Sequence, residues 1–288
     1  NFKLARGKTL GLVGESGCGK STTGRTILRL IEPTAGEIIF EGKDINKLSR
    51  SELRHARKDM QLIFQDPYSS LDPRKTVSQI ISEPIIANKI LKTSADIDAR
   101  VAELMSTVGL AARLFNAYPH ELDGGRRQRI GIARALAMEP KFIVCDEPVS
   151  ALDVSIQAQI LNLLKELQAE FNLSYIFITH DLSVVNFSDE IAVMYLGKIV
   201  EKAPAEQLFD NPLHPYTKAL LSAIPIPELG AKKERILIKG EITSPINPPD
   251  ECRFYKRCNY ACDRCKALPE LKEIAPDHFV ACHLVGEI

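Results

Sequence analysis

The chain lacks tryptophan, has only four methionines, and carries no excess of charge of either sign. Lysine plus arginine and aspartate plus glutamate each number 37, so net charge gives no reason to expect nucleic acid or anionic lipid as the main partner. The sequence also lacks an apolar run of about 18 residues, which excludes a helix that spans a bilayer. Residues 1–6 have no apolar signal core, and we therefore expect the protein in the cytosol.

What is present is the composition of a globular protein, with 45% hydrophobic and 26% charged residues. The length of 288 residues suits one large domain with a smaller appendage. Of the seven cysteines, Cys18 and Cys145 are isolated, and the other five fall between Cys252 and Cys282. Thiols stay reduced in the cytosol, so clustered cysteines favour a metal or iron–sulfur site over disulfides.

Short apolar segments alternate with helical patterns over much of the chain. Strands are predicted at residues 8–13, 37–40, 60–64, 142–145, 175–178 and 191–195. Helices are predicted at residues 20–30, 97–108 and 154–171. This alternation predicts an α/β fold with a mainly parallel sheet that helices cover on both faces. The helical stretch at about residues 76–135 is predicted to be an insertion in that fold.

Proline recurs after about Asp210, at positions 212, 215, 225, 227, 245, 248 and 249. This change of composition predicts a linker that leads to a small C-terminal module. We therefore predict two domains, residues 1–210 and residues 211–288, and the second of these carries the cysteine cluster.

A phosphate-binding loop is predicted from the run Gly14-Glu15-Ser16-Gly17-Cys18-Gly19-Lys20-Ser21. It fits the pattern G-x-x-x-x-G-K-[ST], and it follows a predicted strand and opens a predicted helix, as this pattern requires. Small residues let backbone N–H groups converge on phosphate oxygens, and the helix N-terminus adds partial positive charge. Lys20 then reaches the β- and γ-phosphates, Ser21 ligates Mg²⁺, and Thr22 completes the nucleotide-binding set. The alternative is a chance glycine-rich turn, which the flanking strand and helix disfavour.

Two carboxylates, Asp146 and Glu147, end the apolar strand predicted at residues 142–145. Asp146 is placed to hold Mg²⁺, commonly through water, and Glu147 to act as the general base that polarises the attacking water. The alternative is an acidic pair that caps the next helix, which the phosphate loop makes the weaker interpretation. His180 follows another predicted strand, at the edge where ligands bind in open α/β sheets, and we predict that it contacts the γ-phosphate.

These motifs together resemble the ATP-binding cassette family over roughly residues 1–210, which implies a P-loop ATPase that uses ATP and Mg²⁺. The resemblance implies that Gln65 touches Mg²⁺ and the attacking water, and that His180 is the switch histidine. Asp153 lies in a segment similar to the loop that crosses to a second subunit. The family also places an adenine-stacking aromatic upstream of the phosphate loop, where Phe2 is the only aromatic here. The resemblance therefore implies that the chain begins inside the first sheet.

Residues 122–129 resemble the family signature, in which Asp123, Gly124 and Gly125 face the ATP of a partner subunit. Such cassettes work in head-to-tail pairs, and their closure on ATP drives membrane-spanning partners. The family usually has serine in place of Asp123 and glutamine in place of Arg126. A carboxylate here would face the partner's γ-phosphate, so we expect a heterodimer whose second site turns over slowly. Aspartate is also a good N-cap, so the helix from Gly124 should still form. The alternative is that the carboxylate turns aside or is protonated, in which case Asp123 is only a helix cap.

Residues 211–217 and 252–258 resemble the tail of the oligopeptide, dipeptide and nickel importer cassettes. This resemblance implies a subunit that hydrolyses ATP to energise peptide uptake at the cytoplasmic face of the cell membrane. The implied partners are a second cassette subunit, two membrane-spanning permease subunits and an extracytoplasmic peptide-binding protein, with no nucleic acid among them.

Within that group, a cysteine pattern near the C-terminus can hold a 4Fe–4S cluster. The cysteines that fit its spacing are Cys252, Cys258, Cys265 and Cys282. Zn²⁺ is an alternative, because Cys262 and Cys265 form C-x₂-C and His283 adjoins the last cysteine. Free thiols in a marginal module are the third interpretation.

Two other functions compete with peptide import. A soluble cassette protein in DNA repair or translation would carry two cassettes or a long coiled coil, and this chain has one cassette and no sustained heptads. A catalytically degenerate, regulatory cassette is suggested by the altered signature. Glu147 and His180 are intact, which favours the ATPase.

Overall fold

The computed structural model describes residues 1–66, 68–224, 235–240, 244 and 246–287. These residues form two compact units. The first unit contains Asn1–Lys8 and Gly24–Ile176, and the second contains Thr9–Thr23 together with the described residues from Phe177 onward.

The secondary structure alternates strands and helices until the C-terminal part of the chain. The strands are β1 (Thr9–Val13), β2 (Ile39–Phe40), β3 (Lys43–Asp44), β4 (Met60–Ile63), β5 (Phe142–Asp146), β6 (Ser174–Thr179), β7 (Glu190–Tyr195), β8 (Lys198–Pro204), β9 (Lys272–Ala275) and β10 (His278–Val280). The α-helices are α1 (Lys20–Ile27), α2 (Arg50–Asp59), α3 (Val77–Ala87), α4 (Ser94–Thr107), α5 (Gly124–Leu136), α6 (Val154–Phe171), α7 (Ala205–Asp210) and α8 (Pro215–Ser222). Within the described part of the chain, no helix combines the length and apolar character needed to cross a bilayer.

In the first unit, β4 and β5 pair in parallel, with Met60 opposite Phe142. All of β5 is buried, and β6 begins beside it before the chain passes into the second unit. Helices α3, α4 and α5 pack against one another. Each of these helices begins after a residue whose side chain accepts a backbone N–H, namely Thr76, Thr93 and Asp123. Such caps satisfy amide groups that the first helical turn leaves unbonded.

In the second unit, β1 pairs in parallel with β7, with Leu10 opposite Glu190. The next pairings, β7 with β8, β8 with β10, and β10 with β9, are all antiparallel. Tyr195, Tyr216 and Phe177 are among its largest fully buried side chains. The strand that precedes the predicted phosphate loop is therefore held by a strand from much later in the sequence.

The two parallel pairs agree with the predicted α/β fold, and α6 has the predicted bounds. The antiparallel strands β8, β9 and β10 were not predicted, so the sheet is mixed. Gly197 has a φ of +78° in the turn between β7 and β8, which lets the chain reverse directly. A direct reversal makes the next strand antiparallel, since a parallel strand needs a long crossover.

The linker predicted after Asp210 is wrong for Pro215–Ser222, which forms α8. Pro215 occupies the first helical position, where its fixed φ suits a helix and its missing N–H costs nothing. The prolines at positions 225, 227 and 245 lie outside the described residues. The boundary between residues 210 and 211, and the helical insertion at residues 76–135, stay predictions.

Candidate active site

The predicted phosphate loop joins β1 to α1, as its pattern requires. Gly19 has a φ of +105°, a backbone conformation that side chains with a Cβ rarely adopt. A Cβ on Gly14 would lie 2.1 Å from the carbonyl oxygen of Met194, so only glycine fits there. These two glycines are therefore fixed by backbone geometry and close packing.

Lys20 is 4% exposed, and its ammonium group lies inside the loop. Its Nζ donates to the carbonyl oxygens of Gly14 at 2.8 Å and Glu15 at 3.0 Å. Ser21 and Thr22 follow in the first turn of α1, where the helix dipole gives partial positive charge. The loop thus gathers one buried cation and a helix N-terminus, which is what binding of a polyphosphate requires.

Cys18 is buried in the same loop, and burial raises the pKa of its thiol. Its Sγ lies 4.0 Å from Lys20 Nζ. The Cys18 carbonyl oxygen accepts the Gly197 N–H at 2.9 Å, which ties the loop to the turn after β7. The Cys18 side chain therefore packs inside the loop, and its predicted contact with nucleotide stays a prediction.

The end of β5 carries the predicted carboxylates. Asp146 is 1% exposed, and Arg25 Nη2 lies 3.6 Å from its Oδ2. Glu147 follows with a φ of +47°, which is uncommon for a residue other than glycine. Gln65 Nε2 donates to Glu147 Oε2 at 3.0 Å. The structure therefore brings together the Gln65 amide, which we predict positions water, and the Glu147 carboxylate, which we predict is the general base.

The remaining predicted nucleotide contacts lie at element ends. His180 is exposed and follows β6 directly, and Asp153 is exposed and precedes α6. The phosphate loop and His180 belong to the second unit, and Gln65, Asp146, Glu147 and Asp153 belong to the first. Their roles toward one nucleotide stay predictions.

The signature-like segment begins α5. Asp123 Oδ1 accepts the Arg126 N–H at 2.8 Å, and Arg126 Nη1 lies 3.2 Å from Asp123 Oδ2. The expected helix cap is thus confirmed, and the Asp123 side chain is 58% exposed. A Cβ on Gly125 would lie 2.7 Å from Ile156 Cγ2, and one on Gly124 would lie 2.9 Å from the Leu152 side chain. Both glycines therefore allow close packing against the loop before α6 and α6 itself.

The clustered cysteines interact with one another. Burial, followed by the thiols of Cys265, Cys282 and Cys258, raises the pKa of Cys252 to about 11. Cys262 Sγ lies 3.8 Å from Cys265 Sγ. Among the described residues, however, no group of three or more His, Cys, Asp or Glu side chains is arranged to hold a metal ion. The 4Fe–4S cluster and its Zn²⁺ alternative stay predictions.

Sequence reasoning missed two residues beside the phosphate loop. Arg257 forms an ion pair with Glu15, at 2.7 Å between Nη1 and Oε2, and the Tyr216 hydroxyl accepts the Glu15 N–H at 3.0 Å. Both residues lie in segments that resemble the importer tail. That resemblance was the available signal, although it assigned neither of them a contact.

Two family models match the chain. The model described as "ABC transporter" matches residues 1–150. The model described as "Oligopeptide/dipeptide transporter, C-terminal region" matches residues 200–265. The first match covers the phosphate loop, Gln65, the signature-like segment and Asp146-Glu147, whereas Asp153 and His180 lie beyond it. The second match covers both segments that resemble the importer tail.

Relatives with assigned names extend these matches over nearly the whole chain. The oligopeptide transport ATP-binding protein AppF of Bacillus subtilis is 56% identical over 99% of this chain and 88% of the relative. The protein OppF of the same organism, also described as an oligopeptide transport ATP-binding protein, is 52% identical over 98% of this chain and 88% of the relative. Among solved structures, the ADP- and phosphate-bound dimer of the cassette MJ0796 is 31% identical, with a TM-score of 0.65 over 71% of this chain and 88% of that chain.

Proposed function

This chain belongs to the ABC transporter family, and from that premise we propose that it is the ATP-binding subunit of an importer of oligopeptides or dipeptides. It binds ATP with Mg²⁺ and hydrolyses it to energise transport. The observation that carries the proposal is the pairing of a phosphate loop at residues 14–21 with an oligopeptide-transporter C-terminal region at residues 200–265. A regulatory cassette without activity is less well supported, because residues 14–21 fit the phosphate-loop pattern and Gln65 donates to Glu147.

The proposed catalytic residues act on the water that attacks the γ-phosphate. Glu147 accepts its proton, Gln65 orients it, and His180 contacts the phosphate. The proposed Mg²⁺ ligands are Ser21, Gln65 and Asp146. The proposed nucleotide contacts are residues 14–22 of this subunit, with Asp123, Gly124, Gly125 and Asp153 directed to the ATP shared with a partner.

We further propose that the subunit works beside a second cassette subunit, at the cytoplasmic face of a membrane that holds two permease subunits. An extracytoplasmic protein would deliver the peptide. Residues 1–210 would form the nucleotide-binding domain, with a helical subdomain at about residues 76–135, and residues 211–288 would form the importer-specific extension. The names of the relatives and the match at residues 200–265 support this arrangement.

A 4Fe–4S cluster is the proposed occupant of the cysteine-rich extension. The donor set fits such a cluster in residue type, because the cysteines lie in one short stretch of sequence and iron–sulfur clusters are held by cysteine thiolates. The proposed ligands are Cys252, Cys258, Cys265 and Cys282. A bound cluster would stabilise a segment that has little apolar core of its own.

Peptide uptake by the assembled transporter tests the function. We expect Lys20→Ala to abolish ATP-dependent uptake of a labelled oligopeptide into proteoliposomes, because the variant loses the buried cation of the phosphate loop. Lys198→Ala, which removes an exposed lysine of the same unit, is the matched control and should transport normally. ATP hydrolysis that no peptide stimulates, with no uptake, would refute peptide import.

Anaerobic purification followed by iron, sulfide and zinc analysis tests the cluster. We expect about four iron and four sulfide per chain, lost in Cys258→Ser because a cluster of this type needs four thiolates. Cys262→Ser is the matched control, since Cys262 is outside the proposed set, and it should keep its iron. Stoichiometric zinc without iron would refute the 4Fe–4S proposal.

A further inference from the structure

The phosphate loop is joined to the cysteine-rich region by a paired salt bridge. Arg257 Nη1 lies 2.7 Å from Glu15 Oε2, and Arg257 Nη2 lies 3.2 Å from Glu15 Oε1. The two side chains are 9% and 22% exposed, respectively. A guanidinium that donates two parallel hydrogen bonds to one carboxylate fixes direction as well as charge. This contact is therefore more specific than an ordinary surface ion pair.

Aromatic side chains hold both members of this pair. The Tyr216 hydroxyl accepts the Glu15 N–H at 3.0 Å, and Arg257 Nη1 also donates to the Tyr195 hydroxyl at 3.3 Å. The rings of Tyr195, Tyr216 and Phe254 pack with centroids 4.8 to 5.3 Å apart. All three rings are buried, so the arginine has a rigid base.

Glu15 in turn sets the shape of the loop through its backbone. Its carbonyl oxygen accepts Lys20 Nζ at 3.0 Å and the Cys18 N–H at 3.3 Å. A rotation of Glu15 would therefore displace the group against which the phosphate-binding lysine rests. The salt bridge acts on the residue whose peptide group organises the loop.

Arg257 reaches the loop from the middle of the cysteine cluster. It ends the turn Tyr255–Arg257, between Cys252 and Cys258 in the sequence. The Cys252 N–H donates to the Cys265 carbonyl oxygen at 3.0 Å, and the Arg257 N–H donates to the Phe254 carbonyl oxygen at 3.0 Å. The position of Arg257 thus depends on the fold of this region.

We propose that Arg257 is a positioning residue for ATP binding, which holds the phosphate loop in its nucleotide-binding shape through Glu15. The loop then depends on the C-terminal cysteine-rich region for its full affinity. This inference rests on the proposed nucleotide site at residues 14–21. A purely stabilising ion pair is the competing explanation, and it predicts a loss of stability with no loss of affinity.

Nucleotide affinity of the full chain tests the proposal. Arg257→Gln is expected to raise the Kd for Mg-ATP about tenfold, equivalent to about 1.4 kcal/mol. Arg257→Lys should lie between this variant and the original, because lysine keeps the charge but loses the paired geometry. Lys256→Gln is the matched control, since it removes the charge of the exposed neighbouring residue, and it should leave the Kd unchanged.

Glu15→Gln breaks the same salt bridge from the loop side and leaves the cysteine-rich region unchanged. It therefore still tests the contact if Arg257→Gln fails to fold. Combined with Arg257→Gln, it should add little further loss, because both changes break one interaction. In the assembled transporter, KM for ATP should rise while kcat at saturating ATP stays within about twofold, as for loss of uniform binding. An unchanged Kd in both single variants, or fully additive losses in the double variant, would overturn the proposal.

Lys20→Ala separates this inference from the function on which it rests. If Lys20→Ala leaves ATP binding intact, residues 14–21 are not the nucleotide site and the proposed function fails first. If Lys20→Ala abolishes binding while Arg257→Gln and Glu15→Gln do not weaken it, only the positioning role is wrong.

Discussion

Glu147, the proposed general base, has an uncommon backbone conformation. Its φ of +47° places it in the left-handed region, which costs a residue with a Cβ of the order of 1–3 kcal/mol. Gln65 Nε2 holds its carboxylate at 3.0 Å. The backbone therefore turns sharply after the buried β5 and presents the carboxylate next to the amide that we expect to position water.

Glu147→Gln tests the general base. We expect nucleotide binding to persist and turnover to fall by about 10²–10⁴-fold, because the amide keeps the shape but cannot accept a proton. Turnover should be measured in the assembled complex with the partner's site silenced. Glu166→Gln, an exposed position on α6, is the control and should hydrolyse ATP normally. Near-normal turnover in Glu147→Gln would show that another group is the base.

The residues that could be predicted from sequence are those that lie in short contiguous motifs. The loop from Gly14 to Ser21 and the pair Asp146-Glu147 are of this kind, since strand–loop–helix order and residue type identify them locally. The contact between Glu15 and Arg257 joins residues 242 positions apart. No local pattern encodes such a contact, because it depends on tertiary packing.

At the scale of elements, a buried carboxylate joins β8, α8 and β10. Glu201 is fully buried, and its two oxygens accept the N–H groups of Leu213 at 2.7 Å and His214 at 2.9 Å. His278 Nε2 lies 2.7 Å from Glu201 Oε1. A buried charge is tolerated only when such partners compensate for lost hydration. Through these contacts Glu201 holds β8, the start of α8 and β10 together.

His214 is the N-cap of α8, where its side chain accepts the Tyr216 N–H. Its titration predicts that the free energy of unfolding depends on pH. Burial lowers the pKa of His214 from 6.5 to about 4, although Glu201 opposes the shift. Below about pH 6.5 the unfolded chain binds a proton that the folded chain takes up only near pH 4, so stability falls across that window. The loss is about 2 kcal/mol between pH 7 and pH 5.

His214→Asn should remove this component, because asparagine caps a helix without titrating. The free energy of unfolding, measured by urea denaturation at pH 7 and pH 5, should then fall by about 2 kcal/mol less than in the original chain. His55→Asn, at an exposed position, is the control and should keep the full pH dependence. If the free energy of unfolding falls equally between pH 7 and pH 5 in His214→Asn and in the original chain, the assignment to His214 is wrong.

Elements with long hydrophobic periodicity were predictable, and short edge strands were not. The helix over residues 154–171 was predicted with its observed bounds because apolar residues recur on one face. Strands β9 and β10 have four and three residues, which are too few to show the alternation of apolar and polar residues that identifies a strand. Helix α8 was hidden by Pro215 and the preceding Pro212, which indicate a linker unless the cap at His214 is recognised.

At the scale of the whole molecule, we expect the signature-like segment to decide whether the two proposed ATP sites are equivalent. Asp123 caps α5 and pairs with Arg126, and its side chain remains 58% exposed. Two unit charges about 4 Å apart at an effective dielectric of about 20 repel by roughly 4 kcal/mol. The Arg126 guanidinium and solvent reduce this repulsion toward the phosphate of a partner's ATP.

Asp123→Ser in the complex assembled with the proposed second cassette subunit tests the predicted asymmetry. We expect turnover at the partner's site to rise at least about tenfold, which corresponds to about 1.4 kcal/mol less repulsion in the transition state. The site formed by this chain's own phosphate loop should be unaffected. Each site is measured alone by silencing the catalytic base of the other. Unchanged turnover at the partner's site would leave Asp123 as a helix cap only.

The pairing of β1 with β7 has a consequence for the order in which the newly made chain acquires its parts. The Thr9 N–H donates to an Asp189 oxygen 180 residues later, so at about 5–20 residues per second the ribosome needs roughly 9–36 s to supply that partner. Arg257 is made later still. The proposed ATP-binding loop is encoded near the start of this sequence but contacts a residue encoded near its end, so nascent chains that stop before Arg257 should not bind nucleotide tightly.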